Sequence, residues 1–193
     1  MPWEKSFDVD QATRRAMTVF WSKGYDATSL PDLLEATGIN RGSFYNAFGS
    51  KRNLFLLTLL TYDREERRAM LDEIGAMSDP MEAITEVFER MIAHSLADKD
   101  FRGCFLVFWA RERARHVEQV GEAVRKGFDD LERFFLEQIM AAQIKGSIRP
   151  DMDPQETAKG LLSLSVGLRV MARGIATPAS LSAIKRQALQ LLA

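Results

Sequence analysis

The chain has 193 residues, 46% apolar and 27% charged, with 26 lysines and arginines against 27 aspartates and glutamates for a net charge of −1. That balance excludes disorder, a collagen-like repeat and a strongly basic coat for nucleic acid, while leaving room for a local basic patch. A single cysteine, Cys104, and two distant histidines, His94 and His116, exclude an internal disulfide and a thiolate zinc site. No metal and no cofactor is therefore expected, and the cysteine usage suits a reducing cytosol. The opening Met1-Pro2-Trp3-Glu4-Lys5 has no secretory character, and uncharged stretches such as Asn53 to Tyr62 are far short of the roughly 20 apolar residues of a membrane span. A soluble, cytoplasmic protein with no membrane partner is expected.

Apolar residues recur at three- and four-residue spacing throughout, which predicts an all-α chain of about nine helices. The first runs from Val9 to Lys23, with Ala12, Ala16, Val19 and Phe20 inward, and Gly24 ends it. A second follows Ser29, which has the capping-box spacing to Asp32, and stops at Gly38. A third follows Asn40 and runs to Phe48, and a fourth starts at Ser50 and continues to about Met77. Five more are predicted as Met81–Ala97, Gly103–His116, Val117–Lys145, Pro154–Gly174 and Pro178–Leu192.

The segment from Tyr25 to Phe55 carries the chemistry. Two short helices joined by Thr37-Gly38-Ile39-Asn40 have the layout of a helix-turn-helix, whose second helix enters the DNA major groove. From Ala36 through Tyr62 there is no Asp or Glu, while Arg41, Lys51 and Arg52 are present, so a polyanion meets no opposing carboxylate there. Gly42 lets the start of the third helix approach base edges, and Arg41 beside it offers a fork of donors to guanine or phosphate. Ser43 and Asn46 are short hydrogen-bonding groups, Tyr45 offers a phenol to phosphate and a ring to thymine methyls, and Lys51 shares a phosphate with the free amides of the fourth helix. Phe44 and Phe48 face the core.

The runs Gly24-Tyr25-Asp26-Ala27-Thr28-Ser29-Leu30 and Gly38 to Phe55, above all the spacing Tyr45-x-x-Phe48-x-x-Lys51-x-x-Leu54-Phe55, resemble the DNA-binding signature of TetR/AcrR-type transcriptional regulators. The resemblance implies a homodimeric repressor of double-stranded, palindromic operator DNA. It places the three-helix reading head at residues 1–52 and a helical ligand-binding and dimerisation domain, responsive to a small-molecule inducer, at 53–193. By position it makes Thr28, Arg41, Gly42, Ser43, Tyr45, Asn46 and Lys51 the DNA contacts, whereas Ala47 replaces the polar residue frequent there.

In the remainder, Arg102-Gly103-Cys104-Phe105-Leu106-Val107-Phe108 resembles the Gly-Cys-Leu-x-x-Asn segment of one branch of the family, in a few members of which a cysteine senses oxidants or electrophiles. Phe108 stands here in place of the asparagine. Cys104, Phe108, Trp109, Glu112 and Met171 are the candidate ligand-binding or sensing residues, with inert core as the other reading of Cys104 and a solvated ion-pair face as that of Glu112. The run Asp63-Arg64-Glu65-Glu66-Arg67-Arg68 reads as an exposed helical face. Gly160, Gly167 and Gly174 repeat every seven residues with Ser163 nearby, which marks close helix approach, between two copies or within one. A DNA-binding regulator without a small ligand and a cysteine-based enzyme on a helical bundle remain as other readings, although no nucleotide-binding or zinc-protease motif is present.

Overall fold

Asp8 opens the first helix by accepting hydrogen bonds from the backbone N–H groups of Asp10 and Gln11 at 2.8 and 3.1 Å. The computed structural model describes residues 7–100, 102–110 and 118–193. The helix, α1 (Val9–Lys23), buries Ala12, Ala16 and Phe20 along one stripe. The helix α2 (Leu30–Thr37) starts on the capping box expected from sequence, Ser29 and Asp32 each bonding the other's backbone. Lys23, followed by Ser29, holds the Asp32 carboxyl well below the usual carboxylate range. Gly38 ends α2 at φ 72°, a left-handed conformation that tightens the turn into α3 (Arg41–Phe48), which Asn40 caps.

The next helix, α4, is one rod in three parts: Lys51–Tyr62, a π-helical stretch Asp63–Arg68, and Ala69–Gly75. It stops two residues short of the expected Met77. Then come α5 (Pro80–Ala97), α6 (Phe105–Ala110), α7 (Glu118–Ile144), α8 (Pro154–Met171) and α9 (Pro178–Gln190). The described residues hold no strand. The extension of α6 toward His116 that the sequence predicts falls outside the described residues.

Two apolar clusters organise the molecule. One lies under α1–α3 and contains Phe20, Leu33, Phe44, Phe48, Leu54 and Phe55, but it also takes in Phe105, Leu106 and Trp109 of α6 and Val120 and Val124 of α7. Three short helices have too little apolar surface to close a core, so α4, α6 and α7 complete it. Phe55 stands at its centre, with the rings of Phe20, Tyr25 and Trp109 at 5.0, 5.0 and 4.5 Å. The second cluster joins α5, α7, α8 and α9 around Ile84, Phe88, Phe135, Ile139, Leu161 and Leu181.

The run Asp63–Arg68 departs from the exposed face read in the sequence. Asp63 is buried, and its two carboxylate oxygens accept from Arg67 Nε and from Arg68 Nε. Arg67 reaches across to Asp130 of α7 at 3.0 Å and is itself nine-tenths buried. The packing of α7 against α4 covers this side, which spacing along one helix does not reveal.

Candidate nucleic-acid interface

The N-terminus of α3 is built to be open. Asn40 Oδ1 accepts from the Ser43 N–H at 2.8 Å, and Asn40 O from the Phe44 N–H at 2.9 Å. The N–H groups of Arg41 and Gly42 are left without helical partners, and the first turn carries no acid. A Cβ at Gly42 would meet nothing nearer than Asn40 Oδ1 at 3.4 Å, so packing within the chain does not require glycine there. Arg41, Gly42 and Asn46 are exposed, Ser43 is half-buried, and Tyr45 keeps 49% of its surface. The Phe44 and Phe48 side chains anchor the opposite face of α3. Ala47 is half-buried and packs on that core.

Lys51, the first residue of α4, lies beside α3 with its Nζ 4.4 Å from the centre of the Tyr25 ring. Burial pulls its proton affinity down, against Asp26 and Asp32, which raise it. A phosphate oxygen arriving here would meet a positioned ammonium and the α4 N-terminus together. Thr28 is a correction: it is fully buried, and its hydroxyl donates to Gly24 O at 2.6 Å, tying the α1–α2 loop instead of facing outward.

On the far side of α4 lies a cavity of ≈ 450 Å³. Of the candidate ligand-binding or sensing residues, Cys104 lines it, with Tyr62 Oη 3.5 Å from its sulfur. Burial, then Cys104, pushes the Tyr62 phenol up. Phe108, Trp109 and Met171 are corrections, for none of them lines the cavity. On α6, Phe105 and Trp109 are four residues apart and face the core under the head, leaving Leu106 and Val107 for the cavity. Phe108 stacks under the Arg173 guanidinium at 4.8 Å, and Met171 packs on the second core. Arg102 is engaged with Asp98 and the Trp21 ring. Glu112 lies outside the described residues. His94, Arg169 and Arg67 line the cavity without having been candidate ligand residues: Arg67 reads in the sequence as part of an exposed charged run, and nothing in the local spacing of His94 or Arg169 sets them apart.

The family model described as "Bacterial regulatory proteins, tetR family" matches residues 13–58, and "Tetracyclin repressor-like, C-terminal domain" matches 80–188. The chain belongs to the TetR family. It is 31% identical to the HTH-type transcriptional repressor ComR of Escherichia coli (strain K12), over 88% of this chain and 81% of that protein. It is 29% identical to the uncharacterized HTH-type transcriptional regulator YezE of Bacillus subtilis (strain 168), over 88% of each. Among solved structures, a cysteine mutant of the TetR family transcriptional regulator CifR, complexed with 26-bp double-strand operator DNA, superposes with a TM-score of 0.83. That match has 31% identity and covers 96% of this chain and 97% of the other. The TetR-family assignment accounts for the all-α architecture and makes the chain a DNA-binding transcriptional regulator.

The glycines of α8 in this TetR-family chain serve different ends. A Cβ at Gly160 would stand 3.0 Å from Leu191 Cδ1 of the same chain, whereas one at Gly167 would meet nothing within 4 Å. Ser163 is exposed, with its hydroxyl on Lys159 O. Gly174 is a correction: α8 ends at Met171, and Gly174 sits beyond it at φ 85°, in a turn and not in a helix interior.

His94 carries a pH prediction. Burial first, then the Arg169 guanidinium, pushes its imidazole below the ordinary 6.5, against Glu66 and Asp98. The folded state therefore binds fewer protons than the unfolded chain below about 6.5, and stability is lost as pH falls through that window. Melting temperatures recorded from pH 7.5 down to 5 should drop more steeply for wild type than for His94→Gln; parallel curves would exclude the effect.

Proposed function

We propose that this chain is a homodimeric, cytoplasmic, non-enzymatic repressor. In this reading residues 1–52 bind a palindromic operator, and residues 53–193 bind an inducer and the second copy. The observation that carries the reading is the acid-free, glycine-opened start of α3 beside Lys51, with Arg41, Tyr45 and Asn46 exposed on one side and Phe44 and Phe48 buried on the other. Arg41, Gly42, Ser43, Tyr45, Asn46 and Lys51 are the proposed contacts. The names of ComR, a transcriptional repressor, and of CifR, complexed with operator DNA, support it. Exposed Val170, Ile175 and Leu191, on or just beyond the last two helices, together with Ser163 and the open position at Gly167, offer a surface for the second copy. Only two copies present two reading helices one DNA turn apart, about 34–36 Å, or at a larger spacing the operator matches.

An inducer in the cavity acts only through its different affinities for DNA-competent and incompetent head spacings. Because Cys104 lines the cavity, an oxidant or electrophile is also admitted as inducer. Loss of operator release in Cys104→Ser would single out that chemistry, and an unchanged response would single out reversible ligands.

Selection of genomic fragments by the purified protein, followed by titration of the winning sequence, tests the reading. A palindrome bound as a dimer, with affinity falling as salt rises, is expected. Arg41→Ala should then cost about 1–3 kcal/mol and relax preference at one base position in each half-site. A monomer with no preference over bulk fragments overturns the proposal, and equal loss on operator and random DNA removes Arg41 from base readout.

A further inference from the structure

We propose that the cavity behind α4 selects an apolar monoanion, a single carboxylate carried on a hydrocarbon or aromatic body. This deepens the inducer reading above and rests on it only for its effect on DNA. The volume, ≈ 450 Å³, lies in the range of small-molecule sites. Met70, Met91, Leu106, Val107, Phe128 and Leu131 supply an apolar wall, so the body of the ligand is expected to be apolar.

The head group follows from the charges on the remaining wall. Arg90 is neutralised, with Glu73 at 2.7 Å and Glu86 at 2.7 Å. Glu65 is held by Arg14 at 2.9 Å. Arg67 is nine-tenths buried; its Nε and Nη2 are taken by Asp63 and Asp130, and its Nη1 is buried with no acceptor among the described residues. Arg169, half-buried, forms no ion pair among the described residues, and its one bond is to His94 Nδ1 at 3.2 Å. A guanidinium only donates, so Nδ1 must accept, which places the imidazole proton on Nε2 and makes that edge a donor as well.

The wall thus presents the uncompensated charge of Arg169 and the His94 ring, with the covered, acceptor-less Nη1 of Arg67 adding positive charge behind the surface, and it has a deficit of acceptors. A carboxylate supplies both acceptors and charge, which an alcohol or an amine does not. The opposing group is Glu66, which lines the same cavity, is exposed to solvent and forms no ion pair among the described residues.

The test is calorimetric titration of the full-length protein with octanoate, 1-octanol and octylamine, a set matched in chain length. Octanoate should bind at least tenfold more tightly than 1-octanol, with octylamine weakest. Arg169→Gln should erase the preference for octanoate over 1-octanol, and Glu66→Gln, which removes the opposing carboxylate, should tighten octanoate severalfold. Arg67 is left intact because its ion pairs are structural, and melting curves of the apo variants verify folding. Equal affinity for octanoate and 1-octanol in wild type overturns the inference, as does an unchanged ratio in both variants. Operator binding by the unliganded protein is scored separately. Its absence overturns the repressor reading and leaves the ligand class standing, whereas failure of octanoate with intact operator binding does the reverse.

Discussion

Replacing Lys51 with alanine is expected to weaken operator binding by about 1.5–3 kcal/mol at each head, the worth of a hydrogen bond to a charged group, and so by about twice that in a dimer. The loss should be nearly the same on operator and on random duplex, because a phosphate contact carries no sequence information. The slope of log affinity against log salt should fall by about one for each head. Stability should change little, since what the fold itself loses is a contact with the Tyr25 ring worth about 0.5–1 kcal/mol. Lys51→Arg keeps the charge and should restore part of the affinity. Fluorescence anisotropy across a salt series measures all three quantities, and a slope identical to that of wild type would remove Lys51 from the phosphate contacts.

Asp63→Ala should be among the most destabilising single changes outside the aromatic core. Its carboxylate accepts from Arg67 and Arg68 in the π-helical middle of α4, with both Asp63 and the Arg67 side chain about nine-tenths buried. Removing it leaves a buried guanidinium with one partner fewer, a change that costs about 3–5 kcal/mol where an ion pair is desolvated. Arg68, at 43% side-chain exposure, can turn to water and reduces its own share. A total stability of about 5–15 kcal/mol would be cut substantially. By contrast Arg64→Ala, which breaks an exposed pair with Glu65, should cost under about 1 kcal/mol. Urea midpoints of the two variants decide the matter, and an Asp63→Ala midpoint matching that of Arg64→Ala would show that the network contributes nothing net.

These two variants fall on opposite sides of what sequence can disclose. The proposed role of Lys51 can be read in the sequence because it depends on neighbours close in the chain: the Ser50 cap, the acid-free stretch, and the glycine stop before it. Asp63 was misread because the residue that buries its network, Asp130, lies 67 positions away on another helix. Thr28 marks the same boundary from the other direction. Position within a signature made it a DNA contact, yet its hydroxyl bonds to Gly24 O and its surface is wholly covered.

The helices themselves, their caps and the order of the turn at Gly38 were determined by the sequence alone. Capping, glycine stops and apolar periodicity act within a few residues, and each is written locally. The same holds for the open face of α3, where small and polar residues are set by an eight-residue pattern. Tertiary structure alone decided that α6 turns Phe105 and Trp109 toward the core under the head while Cys104 reaches the cavity, and that Gly160 meets Leu191 of its own chain. It alone brought Arg67, His94 and Arg169 to line one cavity from α4, α5 and α8. Burial and charge compensation depend on which distant helices pack against a side chain, and no short-range pattern encodes that.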